Sequence, residues 1–114
     1  MSAGIRRTVG IMGTLTYGNG GGARISIDDR ALSHLKVVII SKLRRQESFA
    51  VSWTHPCGSG PTGRTTIWVH PAIPLRFDFD EPEPPELNMR WIVGMTDEAN
   101  QLGGVVLTPE AVAV

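Results

Sequence analysis

The apolar residues of this chain change period as it runs, and that change limits the folds open to it. Leu32, Leu35, Ile39 and Leu43 recur at i, i+3, i+7 and i+11, with Val38 widening the stripe. That spacing predicts an amphipathic helix. Leu87, Trp91, Met95 and Ala99, with Ile92 beside them, predict a second. Most other apolar segments alternate: Leu15 and Tyr17; Ala23, Ile25 and Ile27; Phe49, Val51 and Trp53; Ile67 and Val69; Leu75, Phe77 and Phe79. A period of two is a strand with one buried face. Val105, Val106 and Leu107 make a short last strand. The order ββαβββαβ predicts an α+β domain, a mostly antiparallel sheet with two helices packed on one face. Its expected core is Leu15, Ile25, Leu32, Leu35, Ile39, Phe49, Val51, Ile67, Val69, Phe77, Trp91 and Met95.

Turn and cap residues fall between these segments. Gly18-Asn19-Gly20-Gly21-Gly22 joins the first two strands as a hairpin. No Lys-Ser/Thr pair and no helix follows it, which speaks against a phosphate loop. Asp28-Asp29 opens the first helix, Asn88 caps the second, and Gly103-Gly104 stops it. Residues 54–63 read as a loop, and Pro71-Ala72-Ile73-Pro74 breaks the strand ladder. The reading places a tail at 1–11, a single domain at 12–110 and a tail at 111–114. His34, Ser41, Arg44 and Arg45 fall on the outer, solvated face of the first helix. Val37 and Ile40 lie off its main stripe, which predicts at least a homodimer.

A chain of 114 residues with 41% hydrophobic content is one domain's worth of sequence and too apolar for disorder. One cysteine excludes an internal disulfide and multi-cysteine zinc ribbons. No apolar run reaches the length of a membrane helix, so a cytoplasmic protein is expected. Eleven basic residues balance eleven acidic ones. They are not evenly spread: residues 1–45 hold eight basic and two acidic, residues 46–114 three and nine. Asp78, Asp80, Glu81, Glu83 and Glu86, interleaved with prolines, form the acidic end.

The candidate chemistry is sparse. Cys57, two residues from His55 in a glycine-flanked loop, lacks the rigid support a nucleophile needs. His55, Cys57 and His70 do not match a strong metal spacing. No catalytic residue, metal or cofactor is therefore expected. Two surfaces remain. One is the basic cluster Lys42, Arg44 and Arg45. The other is the open sheet face, where alternation opposite Ile67 and Val69 places Thr66, Trp68 and His70. Arg76 joins that face if its strand neighbours theirs. An aromatic beside basic groups suits a protein partner or a single-stranded nucleic acid.

Four stretches carry a resemblance: MGTLTYG (12–18), DDRALSHLKVVIISKLRRQESFAVSW (28–53), GRTTIWVHPAIPLRF (63–77) and PPELNMRWI (84–92). Through them, residues 12–110 resemble a family of small actinobacterial proteins built on a domain of unknown function. Some members carry the label "ATP-dependent DNA ligase", which the resemblance extends to this chain. The residues do not supply that chemistry. Nucleotidyl transfer of this class uses a lysine in Lys-x-Asp-Gly, and neither Lys36 nor Lys42 has that context. The sequence reading is a non-catalytic protein-interaction module, with a nucleic-acid-binding accessory module as the alternative.

Overall fold

The computed structural model describes residues 11–19, 22–55 and 63–108. The expected hairpin pairs β1 (Met12–Tyr17) with β2 (Ala23–Asp28), Tyr17 opposite Ala23 and Met12 opposite Asp28. Helix α1 (Asp29–Arg44) follows at once, because the Asp28 carboxylate accepts the Ala31 N–H at 3.0 Å. Three strands come next: β3 (Phe49–His55), β4 (Gly63–Val69) and β5 (Leu75–Phe79). Asn88 caps α2 (Met89–Leu102), its side chain accepting the N–H groups of Arg90 and Trp91. Gly103, at φ 76°, ends α2 in a left-handed conformation that costs glycine little, and β6 (Gly104–Val106) closes the chain's last pairing. The order is ββαβββαβ, as the periodicities predict. Among the described residues no helix is long and apolar enough to cross a membrane.

The strands divide into two three-stranded sheets, ordered β2-β1-β5 and β4-β3-β6. All pairs are antiparallel except β3 with β6. The proline segment makes the division. Pro71 and Pro74 have no N–H to extend a ladder, and a turn closed by Ile73 N–H to the His70 carbonyl redirects the chain. β5 therefore pairs with β1 instead of β4, with Phe77 opposite Leu15. The Tyr17 hydroxyl, donating to the Trp68 carbonyl at 2.7 Å, ties the two sheets together.

One core serves both sheets. Of the expected core, Leu15, Leu32, Leu35, Ile39, Phe49, Val51, Val69, Trp91 and Met95 are buried. Ile25, Ile67 and Phe77 are partly buried against it. All three sit on edge strands, where cover comes from one side. Leu87 departs from the expected stripe: it precedes α2 and is half exposed.

Helix α1 differs most from its sequence reading. His34 is not solvated but wholly buried, at 0% exposure. Its ring lies 4.7 Å from that of Trp91, centroid to centroid. Its partners assign the tautomer: Nδ1–H donates to the Arg30 carbonyl at 2.8 Å, and Nε2 accepts the Asn88 N–H at 2.8 Å. Lys42 is also buried, its ammonium donating to Asn100 at 2.6 Å and pairing with Glu47 at 2.9 Å. The contacts of His34 with Asn88 and Trp91, and of Lys42 with Asn100, show α2 running parallel to α1. Val37, expected to face a second copy, packs instead against the core, while Ile40 is exposed.

Asp29 is buried beside the capping Asp28. Its carboxylate accepts the N–H groups of Asp80 and Glu81 at 2.8 and 3.2 Å. Arg30 donates to the Glu86 carbonyl at 3.1 Å. The acidic proline segment 80–88 is thus held on α1 through its backbone, and its glutamates point to water.

The Lys42–Glu47 pair gives a pH prediction. The hydrogen bond from Lys42 holds the Glu47 carboxyl below the usual carboxylate range, against an opposing desolvation effect; the Lys42 and Arg45 charges add to the lowering. A depressed carboxyl stabilises the fold above its unfolded pKa of about 4.3. That contribution is lost as pH falls through the folded value. A carboxyl NMR titration is expected to place Glu47 below its ordinary midpoint, and Lys42→Met to move it back up.

Candidate functional site

Strand β4 lies at the edge of the second sheet, and its outer face is open. Val69 is buried and Ile67 partly buried, while Thr66 is exposed and Trp68 is 51% exposed. Pairing with β3 places Ala50 opposite Trp68 and Ser52 opposite Thr66. The Ser52 and Thr66 hydroxyls are 2.7 Å apart and hydrogen-bonded. Beyond Ser52 lies Val106 of β6, 49% exposed. Three hydrogen-bonded strands thus present an indole and an isopropyl group to water on a backbone that cannot easily rearrange.

The other expected members of this face are placed differently. His70 follows the end of β4, and its Nδ1 accepts the Ala72 N–H at 2.9 Å within the proline turn. Arg76 belongs to the other sheet, opposite Thr16, so it does not share a sheet face with Trp68. Its guanidinium is paired with Asp78 at 3.1 Å. The inference that β4 and β5 are neighbours fails because the prolines interrupt the ladder between them. The basic cluster is also reduced. Arg44 and Arg45 are exposed, whereas Lys42 points inward to Asn100 and Glu47.

Cys57, the side chain of His55 and both terminal tails, apart from Ile11, lie outside the described residues. Among the described residues no three His, Cys, Asp or Glu side chains form a metal-sized group. A cleft of about 400 Å³ has Trp53, Trp91, Ile27 and Leu107 in its walls, and Asp28 is its one ionisable lining residue. That carboxylate is already occupied in capping α1. A second groove, of about 270 Å³, runs between α1 and the proline segment, with Asp29 and Lys36 among its lining residues. Asp29 is engaged with two backbone N–H groups, and the Lys36 ammonium lies over the Phe79 ring, 5.4 Å from its centre. Ser33, Glu81 and Glu83 also line this groove, but the Ser33 hydroxyl donates to the Asp29 carbonyl, and among the described residues neither cavity joins a nucleophile to a base by a hydrogen bond.

A family model for a domain of unknown function, DUF7882, matches residues 12–110. The chain belongs to this family. No curated protein and no solved structure matches it. The matched span takes in every helix and strand of the DUF7882 domain described above.

Sequence reasoning puts His34 on the solvated face and uses Asp29 only to open α1; with Arg30, these are the polar side chains seen to hold segment 80–88 in place. A sequence signal for Asp29 existed in the doubled aspartate: one carboxylate caps the helix, and a second invites another task. His34 had no comparable signal, because Asn88 and Trp91, which bury it, are distant in sequence.

Proposed function

We propose that this DUF7882 domain is a non-catalytic protein-interaction module whose partner covers the open face of the second sheet around Trp68. The half-exposed indole of Trp68 on a paired strand carries this reading. An aromatic ring on a rigid support gains contact area at little entropic cost, and interfaces concentrate their energy in such groups. The charges favour protein over nucleic acid. Phosphate binding draws on clusters of unpaired basic groups; here Lys42 and Arg76 are each paired with a carboxylate, which leaves Arg44 and Arg45 as the exposed remainder of the expected cluster. The lysines support a non-enzymatic reading against the ligase label: Lys42 is tied to Asn100 and Glu47, and although Lys36 lines a groove with Asp29, Glu81 and Glu83, no metal-sized cluster of carboxylates forms among the described residues.

Trp68→Ala tests the proposal. Its unfolding free energy is expected to fall by about 1 kcal/mol or less, while capture of a protein partner at raised salt is lost. A fall of about 3 kcal/mol or more makes Trp68 a packing residue and rejects the site. Binding of a labelled oligonucleotide that weakens steeply with salt would favour the accessory nucleic-acid module.

A further inference from the structure

We propose that α2 is also a self-association surface, docking antiparallel on α2 of a second copy about a two-fold axis between Val93 and Gly94. The inner face of α2 is Trp91, Ile92, Met95 and Ala99, all buried. Its outer face carries Arg90, Val93, Gly94, Asp97 and Gln101, all exposed. Met89 at 57%, Val93 at 51% and Leu102 at 78% exposure are apolar side chains of α2 in water, and the first two lie at the proposed contact.

Gly94 has no use within one chain. It lies inside a 14-residue helix, where glycine is a poor helix former. A Cβ built at Gly94 would meet nothing within 4 Å, and its φ is not among the positive ones. Alanine would fit and would strengthen the helix. The remaining advantage of glycine is to let another backbone come close. A shallow groove of about 390 Å³, lined by Met89, Arg90, Val93 and Gly94, marks the place.

The charges select the occupant. Among the described residues, neither the Arg90 guanidinium nor the Asp97 carboxylate has a partner. Arg90 stands three residues before Val93 and Asp97 three after Gly94. An antiparallel two-fold through that midpoint places Arg90 of each copy opposite Asp97 of the other, forming two equivalent ion pairs. A parallel arrangement would oppose like charges. The helix dipoles also favour the antiparallel pair. One helix of this length, about 21 Å, buries less than a standard interface, so the dimer is weak and concentration-dependent.

Sedimentation velocity on the full chain at low salt, from micromolar to millimolar concentration, tests this. The wild type is expected to show a monomer–dimer equilibrium. Arg90→Glu and Asp97→Arg are each expected to weaken it by about tenfold or more, because symmetry turns one substitution into two repulsions. The double variant is expected to return to within about threefold of wild type. Gly94→Gln, for which the monomer has room, is expected to abolish the dimer without lowering Tm. Trp68→Ala is expected to leave the dimer intact, which separates this surface from the partner face. A wild type that stays monomeric, a double variant no stronger than either single, a dimer that survives Gly94→Gln, or one lost in Trp68→Ala would each overturn the proposal.

Discussion

His34→Ala is expected to destabilise the domain by about 4 kcal/mol, the largest effect of any polar substitution on α1. The imidazole is wholly buried, so its removal leaves a cavity beside Trp91 and forfeits the ring contact. Cavity and contact together account for about 2–3 kcal/mol. The Asn88 N–H then loses its acceptor, the His34 Nε2, at the point where α2 begins. An unsatisfied N–H adds about 1–3 kcal/mol. His34→Phe separates the two parts. It keeps a ring against Trp91 but removes the acceptor, and is expected to cost about 2 kcal/mol. Urea unfolding followed by tryptophan fluorescence measures both. A loss below about 1 kcal/mol for the alanine variant would mean that α2 is positioned by its apolar face alone.

Asp29→Ala is expected to cost about 2–3 kcal/mol and to loosen the acidic proline segment. A buried carboxylate that accepts two backbone N–H groups makes charge-assisted hydrogen bonds; its loss takes the acceptor from the Glu81 N–H and leaves the Asp80 N–H only its longer bond to the Met12 carbonyl at 3.3 Å. Asp29→Asn keeps a carbonyl acceptor in the same place and is expected to cost about half as much. Hydrogen exchange supplies the specific readout. The amides of Asp80 and Glu81 should lose protection in both variants, while amides in β3 and β4 keep theirs. Uniform loss of protection would show that Asp29 supports the whole fold instead of one segment.

Both residues show why part of α1 was illegible. The stripe Leu32, Leu35, Ile39 and Leu43 is continuous in hydrophobicity and stands out. A second stripe, Ala31, His34, Val38 and Lys42, has the same spacing and is equally buried, because α2 packs along it. Two of its four members are polar, so a hydrophobic period does not find it. Their burial is tolerable because each has partners supplied by other elements: Asn88 for His34, Asn100 and Glu47 for Lys42. Those partners lie far away in the sequence or, like Glu47, beyond the helix end. The same limit governs the candidate site. The alternation of β4 was enough to put Thr66 and Trp68 on one face. Nothing local to Arg76 says that its strand joins a different sheet.

Local order therefore belongs to the sequence, and assembly to the tertiary structure. Strand alternation, the capping Asp28 and Asn88, and the left-handed Gly103 act over a few residues, so element order and most of the core follow from the chain itself. The division into two sheets, the burial of His34 and Lys42, and the clamp of Asp29 on segment 80–88 depend on which elements meet. Each of these is a balance between desolvating a polar group and finding it a partner. The sequence lists the groups, but only the packed chain brings donor and acceptor within 3 Å or so of one another.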